Sequence, residues 1–453
     1  MKSNCFLVLV ISVGLSISSA GAQTLEVLYA FQDSGGTWPQ GVLVQDSDGT
    51  IYGTTHYGPR ITSGNPGAGT VFKMTTNGAL NTLREFAFDE NGRYLRAGLA
   101  RGSDGNFYGT TYRSSPVAAV LFRITPGGEF TKLAALDETT NGYFVNAALI
   151  QAGDGSFYGT ATFGGTNSLG TVFKMATNGS VTTLVTFNGG NGSQPFARLL
   201  QARDGSFYGT TYAGGTSNLG TAFRLTTNGE FATLTSFTRT NGSRPYAGLV
   251  EDSDGFFYGT TSEGGANAAG TVFRLATNGL LTTLVHFGGT NGATPTAELI
   301  WGRDRKLYGT TWAGGAGGLG TAFQLTANGQ LSLLAAFFGT NGSHPYAGLL
   351  EGADGHLYGA AQHGGPGTND AGNVFRIVMP QIVAPSLNAK RSGMDVLLSW
   401  PTNASSFVLE WTTNLAHPIG WNAFSNSPAS IGGEFVATNP ISAGLKLYRL
   451  RKD

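Results

Sequence analysis

Residues 247–295 read AGLVEDSDGFFYGTTSEGGANAAGTVFRLATNGLLTTLVHFGGTNGATP and contain four short runs of β-branched or aromatic residues. Glycine, asparagine and aspartate separate the runs, a pattern that predicts β-strands. We place the strands at 248–251, 256–261, 271–275 and 281–287. Asp254-Gly255 and Asn278-Gly279 favour tight hairpin turns, because both pairs accept a positive φ. The other two connections are longer and glycine-rich, so each sheet is expected to have tight turns at one end and long loops at the other.

This unit recurs along the chain. A Tyr-Gly pair marks each copy, and five of the six intervals between pairs are 50 residues. The seven pairs begin at Tyr52, Tyr108, Tyr158, Tyr208, Tyr258, Tyr308 and Tyr358. A period near 50 is typical of kelch-like propeller blades, and the 3.6-residue apolar periodicity of helical repeats is absent. The sequence therefore predicts an all-β repeat.

The two ends of the repeat region complement each other. The first element is a lone fourth strand at 25–31, and the last copy stops after its third strand at 374–377. Pairing these strands would bury two sheet edges that otherwise invite aggregation. We therefore predict a seven-bladed β-propeller that the N-terminal strand closes, in preference to an open stack, which would need end caps.

Residues 204–229, DGSFYGTTYAGGTSNLGTAFRLTTNG, resemble the choice-of-anchor tandem repeat (GloVer) family of bacterial exported proteins. The resemblance extends over roughly 24–379. It implies a propeller-like repeat region followed by a variable C-terminal module, and it implies no particular chemistry. The loops at 56–69 and 112–120 depart from the common pattern, so their local geometry is not predicted.

The composition excludes several classes of protein. Glycine contributes 70 of 453 residues and charged residues only 12%, while 40% of residues are hydrophobic. The apolar content is enough to bury a core, so intrinsic disorder is not expected. Positive and negative residues number 27 each. A balanced charge of this kind provides no field for holding nucleic acid or an anionic membrane.

The N-terminus predicts a signal peptide at 1–22, with Lys2, an apolar run and the small residues Ala20-Gly21-Ala22. The apolar run is too short to span a bilayer. The mature protein is therefore expected to be exported and to act outside the cell or at its surface. We also expect a monomer. The only cysteine, Cys5, lies in this segment, so no disulfide is expected.

After the repeats, Pro380 and Pro385 bracket a predicted linker at 380–385. The segment 386–453 resembles a fibronectin type III-like or immunoglobulin-like module, and we predict a small β-sandwich there, following a propeller at 23–379. Phe407, Leu409 and Trp411 alternate with Val408 and Glu410, which predicts a strand with one buried face.

Candidate functional residues are sought where one copy departs from the others. In the first strand, small residues at Gly98, Ala148, Gly248 and Gly348 suit crowding at an axis, but Arg198 and Glu298 take their place in two copies. This cation and anion could bind a polar ligand or could pair with each other.

A second departure is acidic. The long loops before the second and third copies contain Asp89, Glu90, Asp137 and Glu138. Basic and aromatic residues accompany them, namely Trp38, Arg93, Arg96, Tyr112 and Arg113. Such a set could grip a sugar or a cation, paired carboxylates could perform acid–base hydrolysis, and the plain alternative is solvated loop charge.

Two further positions vary between aromatic and polar residues where strands meet the long loops. The position after YGTT holds His56, Tyr112, Thr162, Tyr212, Ser262, Trp312 and Gln362. The position in the proline loop holds Gln40, Arg96, Asn146, Phe196, Tyr246, Thr296 and Tyr346. This variation suits a rim that recognises a ligand, although packing between blades also explains the aromatic members.

Known catalytic and cofactor motifs are missing, and no cofactor is expected. The DSDG turns at 46–49 and 252–255 resemble part of a calcium loop but lack its further ligands, so we interpret them as hairpin turns and expect no metal. The leading hypothesis is a non-catalytic binding or scaffold protein whose long-loop face recognises a glycan, peptide or protein. The alternatives are a polysaccharide hydrolase or lyase that uses loop carboxylates, with Glu298 as a further candidate, and a structural cell-envelope protein.

Overall fold

The computed structural model describes residues 9–10, 16–17, 23–32, 35–60, 66–89, 91–112, 119–367, 370–380, 382–383, 387–401, 407–413, 421–424, 427–440 and 446–452. The chain divides into two compact units. One is Thr24–Val378, and the other combines Met1–Gln23 with Met379–Asp453. All regular structure in the described residues is β, as predicted. These residues include no helix that could cross a membrane.

The larger unit is a series of four-stranded antiparallel sheets, here numbered 1 to 7, which gives it a propeller-like fold. Sheet 1 comprises Val44–Gln45, Ile51–Thr55, Thr70–Met74 and Leu80–Glu85, and sheet 2 comprises Ala100–Arg101, Phe107–Thr110, Val120–Ile124 and Phe130–Ala135. Sheet 3 comprises Ile150–Gln151, Phe157–Ala161, Thr171–Met175 and Val181–Thr186, and sheet 4 comprises Leu200–Gln201, Phe207–Thr211, Thr221–Leu225 and Phe231–Ser236. Sheet 5 comprises Val250–Glu251, Phe257–Thr261, Thr271–Leu275 and Leu281–His286, and sheet 6 comprises Ile300–Trp301, Leu307–Thr311, Thr321–Leu325 and Leu331–Ala336. Sheet 7 comprises Leu350–Glu351, Leu357–Ala361, Asn373–Val378 and Thr24–Ala30. Gly58–Arg60 and Pro66–Gly67 form an additional hairpin in a loop of sheet 1.

The first strand of sheet 5 is shorter than predicted, and the first strands of the other six sheets likewise have two residues. In sheet 5 the prediction of 248–251 is wrong at its start, because the strand begins at Val250. The preceding backbone bonds to the neighbouring sheet instead: the Thr210 hydroxyl of sheet 4 donates to the Ala247 carbonyl at 3.1 Å. Equivalent threonine bonds link four other pairs of neighbouring repeats. These bonds fix the segment before the first strand in five of the seven repeats, where the candidate site lies.

The core lies between neighbouring sheets. The Tyr258 side chain is 1% exposed, and the adjacent glycine is required by packing. A Cβ atom on Gly259 would lie 2.6 Å from the Phe273 ring and 2.8 Å from Leu249. The recurring Tyr-Gly pair is therefore an architectural feature. The tyrosine side chain fills the core between sheets, and the glycine, which has no side chain, leaves room for the neighbouring phenylalanine and leucine side chains.

Sheet 7 joins the two ends of the repeat region. Thr24–Ala30 pairs antiparallel with Asn373–Val378, close to the predicted pairing of 25–31 with 374–377. Sheet 7 also contacts sheet 1, since the Ala353 amide donates to Gln45 Oε1 at 2.8 Å. An apolar cluster crosses the same boundary and contains Phe31, Leu43, Phe72, Tyr358 and Val374. No single sheet closes on itself. Sheets 7 and 1 meet through side-chain packing and the Ala353–Gln45 hydrogen bond.

The smaller unit contains two further sheets. One comprises Asn388–Ser392, Asp395–Pro401, Ala429–Ile431 and Glu434–Pro440, and the other Leu9–Val10, Phe407–Thr412, Asn422–Ala423 and Leu447–Lys452. Ser16–Ile17 pairs with Ile382–Val383. A shared apolar cluster joins residues of both sheets, including Leu398, Trp400, Leu409 and Tyr448. The predicted cleavage position after Ala22 lies outside the described residues.

The predicted alternation along 407–411 is wrong at its end. Glu410 is buried and Trp411 is half-buried, the reverse of the expected order. Arg449 accounts for this, because its Nε donates to Glu410 Oε2 at 2.8 Å and supplies the buried carboxylate with a partner. The aliphatic alternation could not anticipate an ion pair with a distant strand.

Candidate functional site

All seven repeats contribute the same segment to one cavity of about 350 Å³. The residue in the proline loop of each repeat lines this cavity, and we call the set the polar ring. Its members are Gln40, Arg96, Asn146, Phe196, Tyr246, Thr296 and Tyr346. The two variable positions predicted from the repeats therefore differ in location. All seven residues at the proline-loop position line the cavity, whereas the residues that follow YGTT do not.

An unusual backbone turn holds each ring residue. Two residues earlier, every repeat has a non-glycine residue in the left-handed region, with φ between 54° and 61°. These residues are Trp38, Tyr94, Phe144, Gln194, Arg244, Thr294 and His344. Their carbonyls accept hydrogen bonds of 2.7–3.2 Å from the residues that follow the YGTT motif or its variants. Strain of this kind in bulky residues occurs often at functional sites.

Two tyrosines meet at the ring. The hydroxyls of Tyr246 and Tyr346 are hydrogen-bonded to each other, and their ring centroids are 5.7 Å apart. Phe196 stacks on Tyr246 at 4.6 Å. Burial raises the pKa of Tyr246 well above its ordinary value, and it also raises that of Tyr346, while the positive charge of Arg96 opposes both shifts. Both phenols are therefore protonated at neutral pH, and their hydroxyls can donate hydrogen bonds.

Other ring members have buried polar atoms without a hydrogen-bond partner among the described residues. These atoms are Gln40 Oε1, Arg96 Nε, Asn146 Oδ1 and Thr296 Oγ1. Gln40 is only 6% exposed. A buried polar atom left unpaired costs about 1–3 kcal/mol, so four of them around one cavity indicate a site whose partner is a ligand or water.

Arg198 and Glu298 also line the cavity and bind each other. Arg198 Nη2 lies 2.6 Å from Glu298 Oε1, and Arg198 Nε lies 3.2 Å from Glu298 Oε2. The negative charge of Glu298 raises the pKa of Arg198. Of the two readings left open by the sequence, mutual pairing is the one seen. Gly248, from the repeat between them, makes room, because a Cβ there would lie 3.1 Å from Glu298 Oε2.

Replacing Glu298 with glutamine is expected to destabilise the protein. Removing one partner of a fully buried pair costs about 3–5 kcal/mol; the Arg198 side chain is 43% exposed, so we expect about 1–2 kcal/mol. Urea unfolding of Glu298→Gln and of the double variant with Arg198→Gln measures this. The double variant should be the more stable of the two, and equal stability would contradict a compensating pair.

His56 is a buried histidine next to the ring. Burial, with a contribution from the Arg96 charge, lowers its pKa to about 3. It is surrounded by Trp38, Tyr57 and Tyr94, with ring centroids at 6.4, 4.4 and 5.2 Å. The imidazole is therefore neutral at physiological pH, and its Nδ1 atom has no partner in the described part of the chain.

His56 should make stability depend on pH. The unfolded chain binds a proton near pH 6.5 while the folded chain resists it until about pH 3. Stability is thus lost as pH falls from about 6.5 towards 3, with a slope of at most about 1.4 kcal/mol per pH unit. We expect His56→Phe to flatten the curve of unfolding free energy against pH relative to the wild type. Parallel curves for the two proteins would be incompatible with a neutral buried His56.

The acidic loops do not join the cavity. Asp137 caps its own turn, accepting from the Thr139 and Thr140 amides at 2.9 Å each, and Asp89 accepts from the Asn91 amide at 2.9 Å. Neither these residues nor Glu138 line the cavity. Glu90 and Arg113 lie outside the described residues. The Arg93 guanidinium lies 4.9 Å from the Phe88 ring centroid. The predicted loop carboxylates therefore do not contribute to the central cavity, and local turn hydrogen bonds hold Asp89 and Asp137 in their loops.

The remaining predicted residues lie around the mouth of the cavity. Tyr212 and Trp312 line this outer space. Tyr112 stacks on Phe144 at 4.2 Å and lies under the Arg96 guanidinium at 4.5 Å. Five of the left-handed residues were not predicted as site residues: Phe144, Gln194, Arg244, Thr294 and His344. The signal that could have found them is their shared position, two residues before the ring residue in each repeat.

The DSDG segments are turns. Asp252 accepts from the Phe256 amide at 2.9 Å and from the Tyr258 hydroxyl at 3.0 Å, and Asp46 lies 2.5 Å from the Arg101 guanidinium. Within the described ranges, no group of three or more histidine, cysteine or acidic residues could hold a metal ion.

The family model of the Gloeobacter/Verrucomicrobia repeat matches residues 15–152, 64–251 and 204–388. The chain therefore belongs to this repeat family, which confirms the family resemblance predicted from its repeats. Among curated protein sequences, none matches the chain.

Solved structures resemble this fold at low sequence identity. Hydrazine synthase of Kuenenia stuttgartiensis is 12% identical, with 74% of this chain and 95% of that chain covered and a TM-score of 0.50. The periplasmic gluconolactonase of Pseudomonas aeruginosa is 14% identical, with 75% and 88% covered and a TM-score of 0.46. A gluconolactonase of Xanthomonas campestris is 16% identical, with 71% and 95% covered and a TM-score of 0.41. At such identities the likeness is one of fold.

The leading sequence hypothesis, a non-catalytic binding or scaffold protein, is corrected by this comparison. Enzymes are among the solved proteins of similar fold, hydrazine synthase being one, so the fold gives no support to a non-catalytic protein. The physical reason for the error is that the hypothesis rested on missing motifs, and motifs with fixed spacing cannot register a site assembled from one residue of each repeat.

Proposed function

We propose that this protein is a hydrolase that acts on a carbohydrate in the central cavity, with Tyr246 and Tyr346 as its proton donors. The observation that carries the proposal is the hydroxyl pair of these tyrosines, set among ring atoms that have no hydrogen-bond partner in the described chain. The gluconolactonases of similar fold act on sugar-derived substrates, as their names state, and this agrees with the proposal without carrying it.

The chemistry of the ring fits a sugar. A guanidinium, two amides and three hydroxyls line one cavity, alongside the phenyl ring of Phe196. Sugars present many hydroxyl groups at their edges and C–H groups on their faces, so they need both hydrogen bonds and flat apolar contacts. Binding sites that combine a few convergent polar groups with aromatic surface meet this need.

The proposed reaction needs a proton donor and a positioned water. A protonated tyrosine gives its proton to the departing sugar oxygen, water adds its oxygen to the carbon left behind, and the water's spare proton restores the phenol. Gln40, Asn146 and Thr296 offer acceptors that can orient that water. Arg96 stabilises the negative charge that develops on the departing oxygen.

A second candidate is a lyase, and the same ring favours it. The sole carboxylate lining the cavity in the described residues is Glu298, which is paired with Arg198. Hydrolysis by two carboxylates is thus poorly supported. Elimination from a uronic acid needs only a cation to neutralise its carboxylate and groups that move protons, roles that Arg96 and the tyrosine pair suit.

The proposal includes a closed architecture. We take sheets 1 to 7 as the blades of a seven-bladed ring, which the pairing of Thr24–Ala30 and the contacts of sheet 7 with sheet 1 support. The two sheets of the smaller unit, with their shared apolar cluster, support a β-sandwich. Export by a signal peptide at 1–22, action outside the cell as a monomer, and attachment or spacing by the smaller unit complete the proposal.

A substrate panel tests the proposed activity. The purified protein is incubated with sugar lactones, chromogenic glycosides and neutral and acidic polysaccharides, in water enriched in heavy oxygen. Hydrolysis places one heavy oxygen in the product, whereas elimination yields an unsaturated product that absorbs in the ultraviolet. Turnover without either signature, or none on the whole panel, would contradict both candidates.

A further inference from the structure

A continuous band of aromatic side chains borders the polar ring on one side. We call Trp312, His344, Trp38, Tyr94, Tyr112 and Phe144 the aromatic arc. Trp312 contacts His344 at 4.3 Å, and His363 bridges His344 and Trp38, at 5.7 and 4.9 Å from their centroids.

The arc continues without a break on the other side of Trp38. Tyr57 lies 5.1 Å from Trp38 and 5.4 Å from Tyr94. Through His56, Tyr94 connects to Tyr112, at centroid distances of 5.2 and 6.4 Å. Every member of the arc is partly exposed. The six arc residues are therefore partly accessible, and the buried His56 lies between Tyr94 and Tyr112.

The backbone does not require aromatic residues there. Trp38, Tyr94, Phe144 and His344 adopt a left-handed turn, but Gln194, Arg244 and Thr294 adopt the same turn in the other three repeats. Polar residues thus satisfy the fold equally well. The clustering of aromatic residues in four repeats that contact one another in series is a feature of the surface, and folding does not account for it.

Polar atoms accompany the rings. The Nδ1 atoms of His56 and His344 are buried and have no hydrogen-bond partner in the described chain, and His56 is 5% exposed. Arg96, a member of the polar ring, covers Tyr112 at 4.5 Å and links arc to ring. Flat rings interspersed with hydrogen-bonding nitrogens match a chain of sugars, whose faces are apolar and whose edges carry hydroxyls.

We propose that the aromatic arc binds successive sugar units of a glycan chain whose reacting unit lies in the polar ring. The inference rests on the proposed function and specifies its substrate as an oligosaccharide or polysaccharide. We choose a glycan chain as the ligand because the arc and the ring are continuous. A sugar chain with one unit bound in the ring would extend out of the cavity across the arc.

The test separates binding from catalysis. Cellohexaose and hexagalacturonate, each beside its monosaccharide, are titrated into full-length protein, with tryptophan fluorescence and calorimetry as readouts. Trp38→Ala and Trp312→Ala are compared with Phe338→Ala, an exposed aromatic residue outside the arc. Trp38→Tyr keeps a ring at the position and guards against loss of folding, which thermal unfolding monitors.

We expect a hexasaccharide to bind at least about tenfold more tightly than its monosaccharide. Each alanine variant should weaken hexasaccharide binding about fivefold to tenfold, while Phe338→Ala and Trp38→Tyr should remain near the wild type. Equal affinity for long and short sugars, unchanged binding in both alanine variants, or no binding of either hexasaccharide would overturn the inference. Hexasaccharide binding without turnover would instead contradict the proposed hydrolase function, while sugar binding by the aromatic arc would still be supported.

Discussion

Replacing Tyr246 with phenylalanine is expected to lower kcat by about 10²–10⁴-fold, the usual contribution of general acid catalysis. The change removes one hydroxyl of the pair with Tyr346 and keeps the aromatic ring that stacks on Phe196. KM should change little, because the arc and the other ring residues still bind the substrate. Steady-state rates on the best substrate of the panel measure the effect, and Tyr346→Phe should behave similarly.

Tyr308→Phe provides a matched control. Its hydroxyl donates to Asp304 at 2.8 Å, and Tyr308 does not line the cavity. Losing this hydrogen bond should cost about 1 kcal/mol of stability and leave kcat unchanged. A similar loss of activity in Tyr308→Phe, or full activity in both ring variants, would show that the tyrosine pair is not the proton donor.

Joining Glu26 to Arg376 by a disulfide is expected to stabilise the protein by up to about 4–5 kcal/mol. These residues face each other in sheet 7, and their side chains form an ion pair at 2.5 Å. A disulfide between them closes a loop of nearly the whole repeat region, and long loops give the largest entropic gain. The variant Glu26→Cys/Arg376→Cys is made without Cys5, oxidised and unfolded in denaturant.

The single variant Glu26→Cys is the control and should form no bridge within one chain. Non-reducing electrophoresis should show the oxidised double variant as a compact monomer, with a higher unfolding midpoint than its reduced form. Free thiols or disulfide-linked dimers alone would mean that the ends of the repeat region lie apart. In that case the shared cavity would lose its basis.

The sequence predicted the sheets well because their signals are local. Asp-Gly and Asn-Gly turns, β-branched runs and the Tyr-Gly pair recur in each copy, and the structure places strands at Phe257–Thr261, Thr271–Leu275 and Leu281–His286 close to the predicted bounds. The first strand was predicted too long, because a side-chain bond from Thr210 to the Ala247 carbonyl belongs to a neighbouring repeat. Local patterns carry no information on such contacts.

The site was only partly predictable for the same reason. Tyr246 and Tyr346 stood out as variable positions, yet their hydroxyl contact joins residues 100 positions apart. The loop acids attracted attention through their charge, although Asp137 is held by its own turn. A left-handed φ at Phe144 or His344 could not be predicted from the sequence, because phenylalanine and histidine, unlike glycine, are not typical of that conformation.

A crystal structure of Tyr246→Phe with an oligosaccharide that the wild type cleaves tests the central claim most directly. We predict that the scissile linkage lies beside the Tyr346 hydroxyl, with Gln40, Arg96 and Asn146 in hydrogen-bonding contact with the sugar. Residues from all seven repeats should surround it. A sugar bound only outside the cavity, or repeats that fail to meet around it, would contradict the claim.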